Sequence, residues 1–227
     1  NRVSVGVQSF HPNVLKDYDR NHSVEESIQF IESIRDVGFN NVSVDIIFGH
    51  PNHSKDDLMT SLNYLENLGV SHVALYGLTI EKGTPFHDVA ISVDDDDQYE
   101  QYVMLQDFLN LKGFSQYEVS NFSISGFECF HNIKYWTLSP TIGLGAGAHT
   151  FFKGHRYSNT LDFRDYLIDL PDKLPNSVKA LDWNDYISVR LRYFLPIYFS
   201  DIHDLFNFDM YRLHANILHK MSRSGFI

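Results

Sequence analysis

The 227-residue sequence predicts an α/β fold: consecutive βα units at the front, then a run of short helices. Three observations carry this. Short apolar runs rich in Val and Ile recur near the N-terminus, each followed by a Ser-capped stretch with helical periodicity. Gly38 and Gly69 close those stretches before the next apolar run begins. From Leu161 on, the apolar residues fall into short helical patterns broken by Pro171, Pro175 and Pro196.

In chain order, Arg2 to Phe10 reads as a largely buried strand through Val3, Val5, Val7 and Phe10, followed by a polar loop. Ser23 with Glu26 three residues on makes a capping box, and Val24, Ile28, Ile31 and Ile34 form one apolar stripe. A second strand, Val42 to Phe48, runs into a Gly49-His50-Pro51 turn and a helix capped by Ser54 with Leu58, Leu62, Leu65 and Leu68 inward. A third strand spans His72 to Leu78. Crossovers of this length imply parallel strands with right-handed connections, in either a barrel or an open sheet. Asp94 to Asp97 is expected at the solvated N-terminal edge of a helix over Gln98 to Lys112, where carboxylates complement the helix dipole without any metal. Further helices are expected around Asp162 to Leu170, Trp183 to Phe194 after an Asp182 cap, Ser200 to Phe206, and Asp209 to Ser222.

Composition narrows the function. Eighteen Lys and Arg against 29 Asp and Glu leave a net charge of −11, which repels phosphate backbones and anionic membrane surfaces, so no nucleic-acid partner is expected. The single cysteine, Cys129, excludes an internal disulfide framework and fits a reducing, cytoplasmic setting. No apolar run approaches the ~20 residues that span a bilayer, and stable membrane insertion is not expected. The opening on Asn1, straight into a strand, reads as an internal piece of a longer protein.

In parallel α/β folds ligands gather at the C-terminal ends of strands. That rule selects Gln8, Asp45 and Thr79 with their neighbours. Asp45 stands between Val44 and Ile46 in an otherwise apolar strand, and a buried carboxylate there needs either a structural ion pair, with Arg2 or Arg20, or a ligand. His131 to Trp136, HNIKYW, presents an imidazole, a carboxamide, an amine and two aromatic rings, a set suited to a flat, partly polar ligand or to a hydrogen-bonded packing role. Gly143, Gly145 and Gly147 alternate, so an extended strand there would have one bare face. His50 with His53, and His214 with His219, lack a third ligand or a recognised metal spacing.

Six ordered stretches then become recognisable: Asn1 to Phe10, Ser43 to Gly49, Tyr76 to Phe86, Gln116 to Phe122, Cys129 with His131-Asn132 and Tyr135-Trp136, and Gly143 to His149. Together the chain resembles the oxygen-independent coproporphyrinogen III oxidase-like radical SAM family, in its heme-chaperone branch. The resemblance implies the C-terminal part of a partial (β/α)6 radical SAM barrel over residues 1–90, a barrel-closing helix with the HNxxYW and glycine-rich segment over 91–155, and an incomplete, mainly helical C-terminal domain over 156–227. It implies S-adenosylmethionine contacts at Gln8, Arg20, Asp45 and Thr79, and heme contacts at His131, Asn132, Tyr135 and Trp136. It also implies a [4Fe-4S] cluster in the intact parent, heme or porphyrin as ligand and heme-recipient proteins as partners; the alternative within the family is radical decarboxylation of coproporphyrinogen III. The cluster loop Cys-X-X-X-Cys-X-X-Cys is absent from this chain, which therefore carries no cluster ligands, and His50 stands where the family has an apolar residue.

Overall fold

The computed structural model describes residues 1–88, 92–168 and 177–225. Two compact units divide at Glu128 and Cys129. The first contains β1 (Val3–Gln8), α1 (Pro12–Asp17), α2 (Val24–Asp36), β2 (Val42–Phe48), α3 (Lys55–Leu68), β3 (His72–Gly77), α4 (Pro85–Asp88), α5 (Asp95–Leu111), β4 (Ser115–Gln116) and β5 (Asn121–Ser123). Its sheet runs β1-β2-β3-β5-β4, parallel across the first three strands and antiparallel from β3 onward.

The helices form where the caps direct them. Ser23 and Ser54 each accept a hydrogen bond from the backbone N–H three residues on, and Glu26 and Asp57 return the favour to the cap's own N–H. Gly69 ends α3 in the left-handed conformation. Asp94 caps α5 and puts Asp95, Asp96 and Asp97 in its first turn, where their charge complements the helix dipole. Val7, Val44, Ile46, Val73 and Leu75 bury one face of the sheet against Ile31, Leu58, Leu62, Leu105 and Leu109 of the helices. Full burial of each such side chain contributes roughly 1.5–3 kcal/mol, so this helix-covered face holds the unit together.

The opposite face of the sheet is built differently. Alternation places Ser4 and Gly6 of β1, Ser43, Asp45 and Ile47 of β2, and His72, Ala74 and Tyr76 of β3 on it. Ser43 pairs with both Ser4 and His72 in register, so polar positions of three strands fall side by side. β1 is an edge strand, as an incomplete barrel leads one to expect.

The second unit comprises α6 (Phe130–Trp136), β6 (His149–Phe152), β7 (His155–Ser158), α7 (Phe163–Ile168), β8 (Ser177–Ala180), α8 (Trp183–Arg190), α9 (Phe199–Phe206) and α10 (Met210–Arg223). Tyr186, Ile202 and Met210 form its buried centre, with Trp183, Phe206 and Phe208 packed around them. β6, β7 and β8 make an antiparallel sheet; no element was expected from sequence over β6 and β7, and β8 falls in the stretch expected to hold short helices. Pro171 and Pro175, and the end expected at Leu170, lie outside the described residues.

Candidate functional site

Asp45 sits mid-β2 on the polar face, where its Oδ1 accepts from Ser4 Oγ at 3.1 Å. Burial pushes its pKa up, against the smaller opposing effects of that hydrogen bond and of the Arg2 charge. The structural ion pair considered from sequence does not form: Arg2 instead donates to Asn41 Oδ1 at 2.7 Å and to the Phe127 carbonyl at 3.1 Å. A half-buried carboxylate is thus kept at a polar sheet face with one neutral donor, leaving acceptor capacity for something else.

Gln8 ends β1 with φ of 68°, a left-handed conformation uncommon for a non-glycine residue, and the β1–β2 register shifts between Val5 and Gln8. Its amide folds over Gly6, where an added Cβ would lie 2.9 Å from Gln8 Nε2. The bend therefore aims a carboxamide along the face that holds Asp45. Thr79 is exposed two residues beyond the end of β3, on the C-terminal edge of the sheet. Arg20 is exposed after α1, and among the described residues no acceptor meets its guanidinium. Gln8 and Asp45 share one face, whereas Thr79 and Arg20 belong to loops following β3 and α1.

In the second unit, α6 begins just after Cys129 and presents an exposed His131, whose ring meets Tyr135 edge-on at 5.0 Å. Asn132 is half-buried. Tyr135 and Trp136 line a cavity of about 240 Å³ together with His149, Phe151, Arg156 and Val189. His131 and Asn132 are not in that lining. Trp136 has the Arg192 guanidinium 5.2 Å from its ring centre and a buried indole N–H with no acceptor among the described residues. From sequence His149 stands only as the end of the glycine stretch and Arg156 is not singled out, because a strand pairing across a hairpin brings them to the aromatics of α6. A second, apolar hollow of about 770 Å³ opens among α8, α9 and α10, lined by Trp183, Phe194, Phe199 and Ile217 among others.

The glycine run departs from the expected strand. Gly145 and Gly147 take φ of 107° and 70°, which turns the chain instead of extending it. Its polar groups are also occupied: Gly143 N–H donates to Thr150 Oγ1, Gly145 N–H to Tyr166 Oη, and Asn159 Nδ2 donates to the Gly145 carbonyl. Gly143 is glycine because its Cβ would collide with the His149 backbone carbonyl. The run braces β6 and offers no bare strand face to a planar ligand.

Residues 1–65 match the model of the Radical SAM superfamily. The chain is similar to heme chaperone HemW of Lactococcus lactis subsp. lactis (34% identical over 176 residues, covering 75% of this chain and 46% of that protein). It is similar to heme chaperone HemW of Bacillus subtilis (32% over 178 residues, 76% and 47%) and of Mycobacterium tuberculosis H37Rv (37% over 163 residues, 70% and 42%). It thus spans about half the length of the curated relatives it matches. In fold it is similar to coproporphyrinogen III oxidase (HemN) from Escherichia coli, described as a radical SAM enzyme, with a TM-score of 0.79 at 16% identity, covering 99% of this chain and 57% of that one. The family match and these relatives place the chain in the radical SAM superfamily, beside the HemW heme chaperones, with the fold of the coproporphyrinogen III oxidase.

Proposed function

We propose that this chain is the heme-binding portion of a cytoplasmic radical SAM heme chaperone that passes heme to heme-dependent proteins. The observation that supports it most is His131 on α6, an exposed imidazole with the Tyr135 ring against it, in a chain whose curated relatives are named heme chaperones. A neutral imidazole ligates heme iron, and Tyr135 and Trp136 supply aromatic surface for the macrocycle. The adjoining cavity of about 240 Å³ falls below the ~300–1,000 Å³ of pockets that enclose a drug-sized ligand. Heme bound here would be held from an open side. That suits a protein that must give its ligand up.

The polar sheet face fits S-adenosylmethionine in kind. Gln8 and Asp45 offer an amide and a carboxylate to its hydroxyl and amino groups, Thr79 adds a hydroxyl at the strand edge, and the Arg20 guanidinium suits its carboxylate. When bound, this cofactor would supply a sulfonium and a methionyl carboxylate to be oriented by those side chains. A [4Fe-4S] cluster does not fit the residues of this chain, since such clusters are held by several cysteine thiolates and Cys129 is its single cysteine.

The test is a heme titration of the chain followed by its Soret band, repeated with His131→Ala. The proposal expects a saturable shift that the variant loses or weakens by about tenfold, equivalent to ~1.4 kcal/mol. Superimposable spectra and affinities would remove His131 from the account. Turnover of coproporphyrinogen III by the longer protein would favour the decarboxylase reading, which the fold of the coproporphyrinogen oxidase also accommodates.

A further inference from the structure

We propose that Asp17, His50 and His53 form a divalent transition-metal site that ties the end of α1 to the turn between β2 and α3. His50 and His53 are 1% and 6% exposed, and their rings stack with centroids 4.2 Å apart. Tyr18 places its ring edge on both, and Phe86 covers His50 at 5.5 Å. The sequence reading set this pair aside for want of a third ligand. The fold supplies one: His53 Nε2 stands 3.5 Å from Asp17 Oδ2, and one ligand atom from each of the three residues lies within 4.8 Å of the others.

The pair has no account as packing. His50 Nε2, His53 Nδ1 and the Tyr18 hydroxyl are buried without a hydrogen-bond partner among the described residues, and His53 Nε2 has only its long contact to Asp17. A buried polar atom without a partner is costly, so two stacked imidazoles in an aromatic cup call for something that meets their unpaired nitrogens. A cation does so for several at once. Tetrahedral Zn²⁺ with bonds of about 2.0–2.1 Å sets its ligand atoms roughly 3.3 Å apart, close to the His53–Asp17 separation, and the three ligand atoms would draw together from within 4.8 Å to meet it.

Donor chemistry selects the ion. Two imidazole nitrogens and one carboxylate oxygen favour Zn²⁺, Co²⁺ or Fe²⁺ over Mg²⁺ or Ca²⁺, which take oxygen ligands. Three protein ligands leave a fourth position for water or the Tyr18 hydroxyl. His50 Nδ1 now accepts from the Asn52 N–H at 3.2 Å. Ligation through Nε2 therefore moves the ring proton to Nδ1 and releases that contact. The turn then rearranges by one hydrogen bond. Asp17 is 40% exposed and gives the ion its entry path.

The experiment is a Co²⁺ titration of the chelator-treated chain, reading visible d–d bands, with Zn²⁺ displacement and a thermal scan. The proposal expects one Co²⁺ per chain with intense tetrahedral bands, displacement by Zn²⁺, and a Zn²⁺-dependent rise in Tm. His50→Leu fills the buried space without an orphaned nitrogen, and Asp17→Ala changes a half-exposed helix end, so both should fold. Each should weaken Co²⁺ binding by more than about tenfold, the smallest loss typical even of outer partners of a metal. His219→Gln, on α10, should bind as the parent does. Absence of the bands, or equal affinity in the parent and both variants, would overturn the proposal.

Discussion

Asp45 shows how much a single residue discloses. A carboxylate in an apolar strand was legible in the sequence as an anomaly, and the structure resolves it as a half-buried acid with Ser4 as its donor and, among the described residues, no ion pair. Its folded pKa is raised, chiefly by burial, so the fold binds the proton more tightly than the unfolded chain does. That contribution is present in acid and lost as pH rises through the folded pKa, which leaves the ionised form a cost near neutrality. Asp45→Asn should therefore raise the urea midpoint at neutral pH while weakening S-adenosylmethionine binding in the longer protein. A lowered midpoint would show that Asp45 is kept for structure. Other site residues were illegible: Asp17 joins His50 and His53, and Arg156 joins Trp136, only through folding, and no spacing in the sequence announces either meeting.

At the scale of elements, the sequence announced what local chemistry decides. Ser23 with Glu26 and Ser54 with Asp57 close capping boxes as their spacing requires, and β2 runs over the expected Val42–Phe48. Elements decided by distant pairing were hidden. β4 and β5 are two and three residues long, too short for periodicity; β5 exists because β3 offers it an edge, and β4 because β5 in turn offers one. β3 carries its own pH dependence. His72 is buried between Ser43 Oγ at 2.8 Å and Tyr117 Oη at 2.8 Å. Burial first and the Arg2 charge second depress its pKa to about 3. The unfolded histidine, with a pKa of about 6.5, takes up a proton that the folded one refuses, so this stability is whole above that pH and lost as pH falls toward the folded value. The loss is about 1.4 kcal/mol per pH unit. Unfolding free energies from urea titrations should fall from about pH 7 to about pH 5 by ~2 kcal/mol more in the parent than in His72→Asn. Equal slopes would contradict this.

For the molecule as a whole, the α/β class was readable because capped helices between apolar strands force parallel crossovers. The antiparallel additions and the β6–β8 sheet were not, because hairpins of four-residue strands leave little periodicity to read. Among the described residues no helix is long and apolar enough to cross a membrane, and the charge of −11 disfavours anionic surfaces. What this architecture presents is a polar sheet face in the first unit and, in the second, the helix α6 with its exposed His131 beside Tyr135. The heme site proposed on α6 would be open-sided and suited to transfer, and transfer is directly measurable. Heme-loaded chain mixed with an apo-heme acceptor such as apomyoglobin should lose its Soret band as the acceptor's band grows. Heme that stays on the chain in the presence of excess acceptor would contradict the account.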